Sequence, residues 1–149
     1  MQVSPDGKLA AFTSEESGGR DIWIRDYPDP HGKWKVSSTD LSGGARWSRD
    51  GNYVYFWRDA SSGVDTLFRA RIERRPSVVV HPPERVLTID LPGYENWDLH
   101  PDGKRIAVAV TGGSPQPVAN STQAVAPSRY VIVQNWFTEL KRLTSKATR

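Results

Sequence analysis

The chain has 149 residues, 37% apolar and 25% charged, with 12 glycines and 11 prolines, the composition of an ordinary globular module rich in tight turns. Zero cysteine excludes disulfides and thiolate metal sites. With no apolar run of roughly 18 residues and no signal-like N-terminus, the segment by itself is expected neither to span a membrane nor to direct its own export. A net charge of +3 with a pI near 9.3 is too modest to argue for an acidic polymer as partner.

In chain order, the first feature is Val3-Ser4-Pro5-Asp6-Gly7. It returns as Trp47-Ser48-Arg49-Asp50-Gly51 and as Leu99-His100-Pro101-Asp102-Gly103. Proline presets φ at the second turn position, Asp suits the third, and Gly takes the left-handed conformation that closes a type I turn with a bulge; Arg49 is tolerated because that position needs only a negative φ. A short strand precedes each turn, and a longer apolar run follows it at 8–13, 52–57 and 104–110. Third strands are expected at 21–25, 66–72 and 130–134, and fourth strands at 34–37 and 85–89. After the last third strand, Trp136, Phe137, Leu140 and Leu143 fall at helical spacing, which predicts a short amphipathic helix over 136–143.

Asp6 to Asp50 and Asp50 to Asp102 are 44 and 52 residues apart, a period that with strand-like contents matches a β-propeller blade. The expected fold is therefore all-β: one domain over 1–149, a partial β-propeller of three blades at about 1–44, 45–96 and 97–136. Such an open arc leaves apolar end faces. The isolated chain is accordingly expected to form a homodimer or to aggregate, with missing blades upstream in the native protein.

Candidate sites are few. Period-two alternation turns Gln2, Arg46 and Asp98 away from Val3, Trp47 and Leu99. Arg46 and Asp98 are thus candidate polar groups facing a central channel, or else partners in a salt bridge between blades. Trp47, Trp23, Phe68 and Trp97 are read as core. Trp57, near the end of a second strand, is the tryptophan expected to reach solvent, which makes it the third candidate for partner binding. Arg69, Arg71, Arg74 and Arg75 are read as a solvated blade edge rather than a nucleic-acid surface, since no aromatic-and-basic stacking pattern accompanies them.

Catalytic and metal constellations are not evident in the sequence. There is no Gly-x-Ser-x-Gly elbow, and Asp and Gly are adjacent where a sialidase box spaces them by one residue. His31 and His81 sit in turn-like contexts, and His100 fills the slot of Ser4 and Ser48. Asp26, Asp29 and His31 are separated by Pro28 and Pro30 in no calcium-loop pattern, so no metal or cofactor is expected. The insertion over 112–128, rich in Pro, Ser, Ala and Gln, reads as a projecting loop.

The frame Ser4-Pro5-Asp6-Gly7-Lys8 with Asp21-Ile22-Trp23-Ile24-Arg25 resembles the repeats of TolB-like β-propellers. Gly44 to Gly51 and the tail Val131 to Leu143 resemble the last blades of propellers fused to bacterial serine/threonine kinases and winged-helix regulators. The resemblance implies a non-catalytic sensing or protein-docking module at the C-terminal end of a larger bacterial signalling protein, on the periplasmic or extracytoplasmic side. No kinase loop is present, and the 112–128 insertion departs from the pattern. The alternative implied role is the substrate-gating accessory propeller of a prolyl-oligopeptidase-type serine peptidase. Either way the chain itself is expected to be no enzyme, to meet a protein rather than nucleic acid, and not to insert into a membrane.

Overall fold

The computed structural model describes residues 1–37, 42–58, 64–90, 94–110 and 129–134, all strands and turns. The insertion at 112–128 and the expected helix at 136–143 lie outside the described residues. The chain divides into two compact units, Met1–Asp90 with Pro101–Gly103, and Leu91–His100 with Lys104–Arg149.

In the first unit, β1 (Gln2–Val3), β2 (Leu9–Ser14), β3 (Asp21–Asp26) and β4 (Lys33–Lys35) form one antiparallel sheet in sequence order. A second sheet follows the same plan with β5 (Ser42–Trp47), β6 (Tyr53–Arg58), β7 (Val64–Glu73) and β8 (Val79–Val80), and β9 (Glu84–Asp90) also pairs with β7. The second unit contains the antiparallel set β10 (Tyr94–Leu99), β11 (Arg105–Val110) and β12 (Arg129–Gln134). The second and third strands of every copy thus lie where the repeat placed them. The fourth strand of the first copy starts earlier than expected, at Lys33, and β8 was not anticipated.

Register shows the repeat more strictly than strand order does. Gln2 pairs with Ala11 and Val3 with Ala10; Arg46 pairs with Tyr55 and Trp47 with Val54; Asp98 pairs with Ala107 and Leu99 with Ile106. A one-residue slip would exchange the faces of each strand, so three matching registers mean three matching face assignments.

The turns explain the register. Ser4 N donates to the Leu9 carbonyl at 2.7 Å, Gly7 N to the Ser4 carbonyl at 2.9 Å, and Leu9 N to Ser4 Oγ at 2.9 Å. The second copy repeats this with Ser48 N to the Tyr53 carbonyl, Gly51 N to the Ser48 carbonyl and Tyr53 N to Ser48 Oγ, each at 2.9 Å. Each serine hydroxyl also donates to the turn carboxylate, Asp6 or Asp50, at 2.6 Å. Gly7, Gly51 and Gly103 take φ of 72°, 69° and 64°, the left-handed region the Asp-Gly pair anticipated.

The two sheets of the first unit share one core. Leu9, Ala11, Ile22, Ile24 and Val36 from one sheet meet Ala45, Trp47, Val54, Phe56, Ala70 and Ile72 from the other, with Trp34, Phe68, Val78 and Val80 packed against them. Each large side chain buried this way contributes about 1.5–3 kcal/mol of hydrophobic stabilisation. The contact is heterologous. The first sheet offers the face that carries Leu9 and Ala11, and the second receives it on the opposite face of the repeat, which carries Trp47, Val54 and Phe56.

The fold is therefore all-β and of partial propeller type. No helix among the described residues is long and apolar enough to cross a membrane.

Candidate functional site

Two regions of the first unit gather polar side chains: the edge where β1 and β5 run side by side, and the end where the Asp-Gly turns lie.

At the strand edge, backbone and side chain of Gln2 both engage Trp47. Trp47 N donates to Gln2 Oε1 at 2.7 Å, and the indole Nε1 donates to the Gln2 carbonyl at 3.1 Å. Gln2 therefore serves as a tie between the two sheets. Beside it, a small crevice of about 110 Å³ is lined by Gln2, Phe12, Thr13, Gly44 and Arg46 among others. Arg46 is half-buried on β5 and donates from Nη1 to the Ala45 carbonyl at 3.0 Å. Gly44, with φ of 66°, and the bulge between Gly43 and Arg46 set where that side chain leaves the strand.

The candidates from the sequence fare differently. Arg46 lies at this polar edge. Asp98 is exposed on β10 in the second unit, where Oδ1 accepts the Leu99 N–H at 2.8 Å. Trp57 corrects the expectation of a solvent-reaching indole, because it is 0% exposed. It shares a sheet face with Tyr55, pairs with Leu67, and both neighbours are buried as well. The unbroken apolar run Tyr53-Val54-Tyr55-Phe56-Trp57 is the sequence signal for a strand covered on both faces, and it outweighs the position of Trp57 near the strand end.

At the turn end, Arg74 joins the two frames. Its Nη1 reaches Asp6 Oδ2 at 2.6 Å and its Nη2 the Gly51 carbonyl at 2.6 Å, while the guanidinium lies 5.4 Å from the Trp47 ring centroid. Burial pushes the Asp6 carboxyl up, but the Ser4 hydroxyl, the Lys8 N–H and Arg74 outweigh it and hold the group below its ordinary value. Asp50 is held low in the same sense, burial being outweighed by Ser48 and Asn52. An open cleft of about 520 Å³ borders this end, lined by Asp50, Asn52, Tyr53, Arg71, Glu73, Arg74 and Arg75 among others. Arg71 pairs with Glu73 at 3.0 Å and Arg74 with Asp6, and His81 Nε2 lies 3.2 Å from Glu73 Oε1.

Asp21, Asp26 and His100 engage structural partners. Asp21 is wholly buried, accepts from Ser17 Oγ and Ser37 Oγ at 2.5 Å each, and pairs with Lys35 Nζ at 2.6 Å. Burial raises its carboxyl, and the hydrogen bonds from Lys35, Ser17 and Ser37 more than reverse that. Asp26 accepts the Gly32 N–H at 2.7 Å, as a turn residue does, and Arg105 Nη2 donates to His100 Nε2 at 2.8 Å. No group of three or more His, Cys, Asp or Glu able to hold a metal occurs among the described residues.

No family model matches the chain, and no curated protein matches it. Solved structures do. An acylaminoacyl peptidase from Pyrococcus horikoshii aligns at 14% identity and a TM-score of 0.55, over 86% of this chain and 22% of its own. A putative 6-phosphogluconolactonase from Bacteroides uniformis aligns at 20% identity and a TM-score of 0.52, over 74% of this chain and 32% of its own. TolB from Acinetobacter baumannii aligns at 16% identity over 90% of this chain and 40% of its own, with a TM-score of 0.43. The chain spans well under half the length of each. At these identities the likeness concerns the fold alone, a propeller-type β-array.

Proposed function

We propose that the chain is a non-enzymatic propeller module that docks a protein partner within a larger bacterial signalling protein. The observation that carries this reading is the use made of the polar groups. Ser4, Asp6, Ser48, Asp50, Arg74 and Asp21 hold turns and sheet ties, and beside them Gln2 and Arg46 line a crevice at the strand edge that a partner could cover. Rigid scaffolds of this kind present partners with preformed surfaces at low ordering cost. Asp98, exposed on the corresponding strand of the second unit, belongs to the same reading.

A second reading has one specific support. The likeness to the acylaminoacyl peptidase covers 86% of this chain, which fits an accessory propeller beside a separate hydrolase domain.

A photo-crosslinking residue at Arg46, at Asp98 and, as control, at the exposed turn residue Arg49 tests the docking reading in producing cells. A protein adduct at the first two positions and none at the third is the expected result. Adducts at the control alone, or substrate turnover by the purified chain on ATP, acyl-peptide or glycoside substrates, would overturn it.

A further inference from the structure

The stretch from Arg71 to Arg75 carries three arginines within five residues, and all three line the open cleft at the turn end of the second sheet. Two ties fix it there. Ile72 N donates to the Asn52 carbonyl at 2.8 Å and Tyr53 pairs with Arg71, so the end of β7 stands beside the start of β6. Arg74 is clamped by Asp6, the Gly51 carbonyl and the Trp47 ring, which holds the chain leading into Arg75. The cleft of about 520 Å³ is therefore lined by three guanidinium groups against two carboxylates, Asp50 and Glu73. It shares no lining residue with the crevice at Gln2 and Arg46.

These charges are unequally used. Asp50 is occupied from within its own turn, where it accepts from Ser48 Oγ, Asn52 N and Asn52 Nδ2. Glu73 meets Arg71 through Nη2 at 3.0 Å, and the Arg71 side chain stays 57% exposed with the other N–H groups of its fork open to a ligand. Arg75 is exposed and has no hydrogen bond or ion pair among the described residues. A cation without a partner thus stands beside a partly used one, over a cleft large enough for a small anion.

We propose that this cleft binds the dianionic group of a phosphate monoester, held between Arg75 and the outer N–H groups of Arg71. Guanidinium forks match phosphate oxygens two at a time. A single carboxylate would offer Arg71 only what Glu73 already supplies, whereas a dianion with three terminal oxygens engages both arginines at once. A phosphorylated small molecule and a phosphorylated side chain of a partner protein share this chemistry.

The test titrates the full chain with O-phosphoserine at constant ionic strength and follows the backbone amides of Asn52, Arg71 and Arg75 by NMR. O-Phosphoserine should shift them saturably, and serine O-sulfate, of the same shape with one charge fewer, should bind about fivefold or more weakly. Arg75→Met should weaken O-phosphoserine about tenfold while leaving the thermal midpoint unchanged, since Arg75 ties nothing in the fold. Arg49→Met, an exposed arginine of the neighbouring turn outside the cleft, should change neither. Tighter binding of a phosphoserine peptide with neutral flanks than of free O-phosphoserine assigns the site to a partner's side chain, and equal or weaker binding assigns it to a small phosphate ester. No saturable shift, equal binding of the sulfate ester, indifference to Arg75→Met, or an equal loss with Arg49→Met would each overturn the proposal.

Discussion

The two sheets of the first unit share a strand plan, a turn and a register, yet equivalent positions differ in fate: Phe56 is 1% exposed while Phe12 is half-exposed. Local sequence sets which way a residue points, and the neighbouring sheet sets whether pointing that way means burial. The repeat is therefore a unit of geometry, and stability arises where two units meet.

The largest effect should come from breaking that meeting. Phe56→Ala is expected to cost about 3–5 kcal/mol in chemical denaturation, and Phe12→Ala less than half of that. Trp57→Ala should fall in the same high range as Phe56, because its indole is fully buried. Equal losses at Phe12 and Phe56 would erase the contrast between the sheets.

Next comes the buried carboxylate of the first sheet. Asp21→Ala is expected to cost about 1–3 kcal/mol by leaving Ser17, Ser37 and Lys35 without their acceptor. Its folded-state carboxyl is held below the ordinary 3.8, so its contribution is present above that pH and is lost as pH falls through the lower folded value. Asp21→Asn should therefore flatten the acid limb of the stability curve, measured by denaturation between neutral and strongly acid pH. An unchanged limb would place the acid sensitivity elsewhere.

The turns provide a finer comparison. Gly7 and Gly51 share a left-handed φ, so alanine at either is strained by about 1–2 kcal/mol. At Gly51 a Cβ would also come within 2.7 Å of Arg74 Nη2, whereas at Gly7 nothing lies within 4 Å. Gly51→Ala is thus expected to be the more destabilising of the two. If thermal unfolding ranks them equally, Arg74 yields at no cost. Smallest of all, a double-mutant cycle of Arg74→Met and Asp6→Asn should give a coupling of about 0.5–1 kcal/mol, since the pair is partly exposed and screened by solvent.

These contrasts also show what the sequence could carry. The Asp-Gly turns and the strands after them were legible because proline, aspartate and glycine impose backbone angles locally, and Trp47 was placed in the core by alternation with its counterparts Val3 and Leu99. The role of Arg74 was not legible: its acceptor Asp6 lies 68 residues away, and nothing in the string Arg74-Arg75-Pro76 marks one arginine as a tie. Ser4 and Ser48 were assigned no role from the sequence, yet each hydroxyl accepts a strand N–H and donates to the turn carboxylate. Trp57 was expected at the surface because it stands near the end of its strand, but both faces of that strand are covered to its end. Alternation singled out Arg46 as a candidate, but the crevice beside it depends on the bulge after Gly43, which strand periodicity does not encode.

Whether the two sheets of the first unit form one cooperative core is decided by native-state hydrogen exchange. If they do, the amides of Ala11, Ile22 and Ile24 and those of Val54, Phe56 and Ala70 will exchange through a single global opening, with matching free energies and matching denaturant dependence. Exchange of the first set through a separate, lower-energy opening that leaves the second set protected would show that the sheets are stable independently, and would contradict a cooperative core.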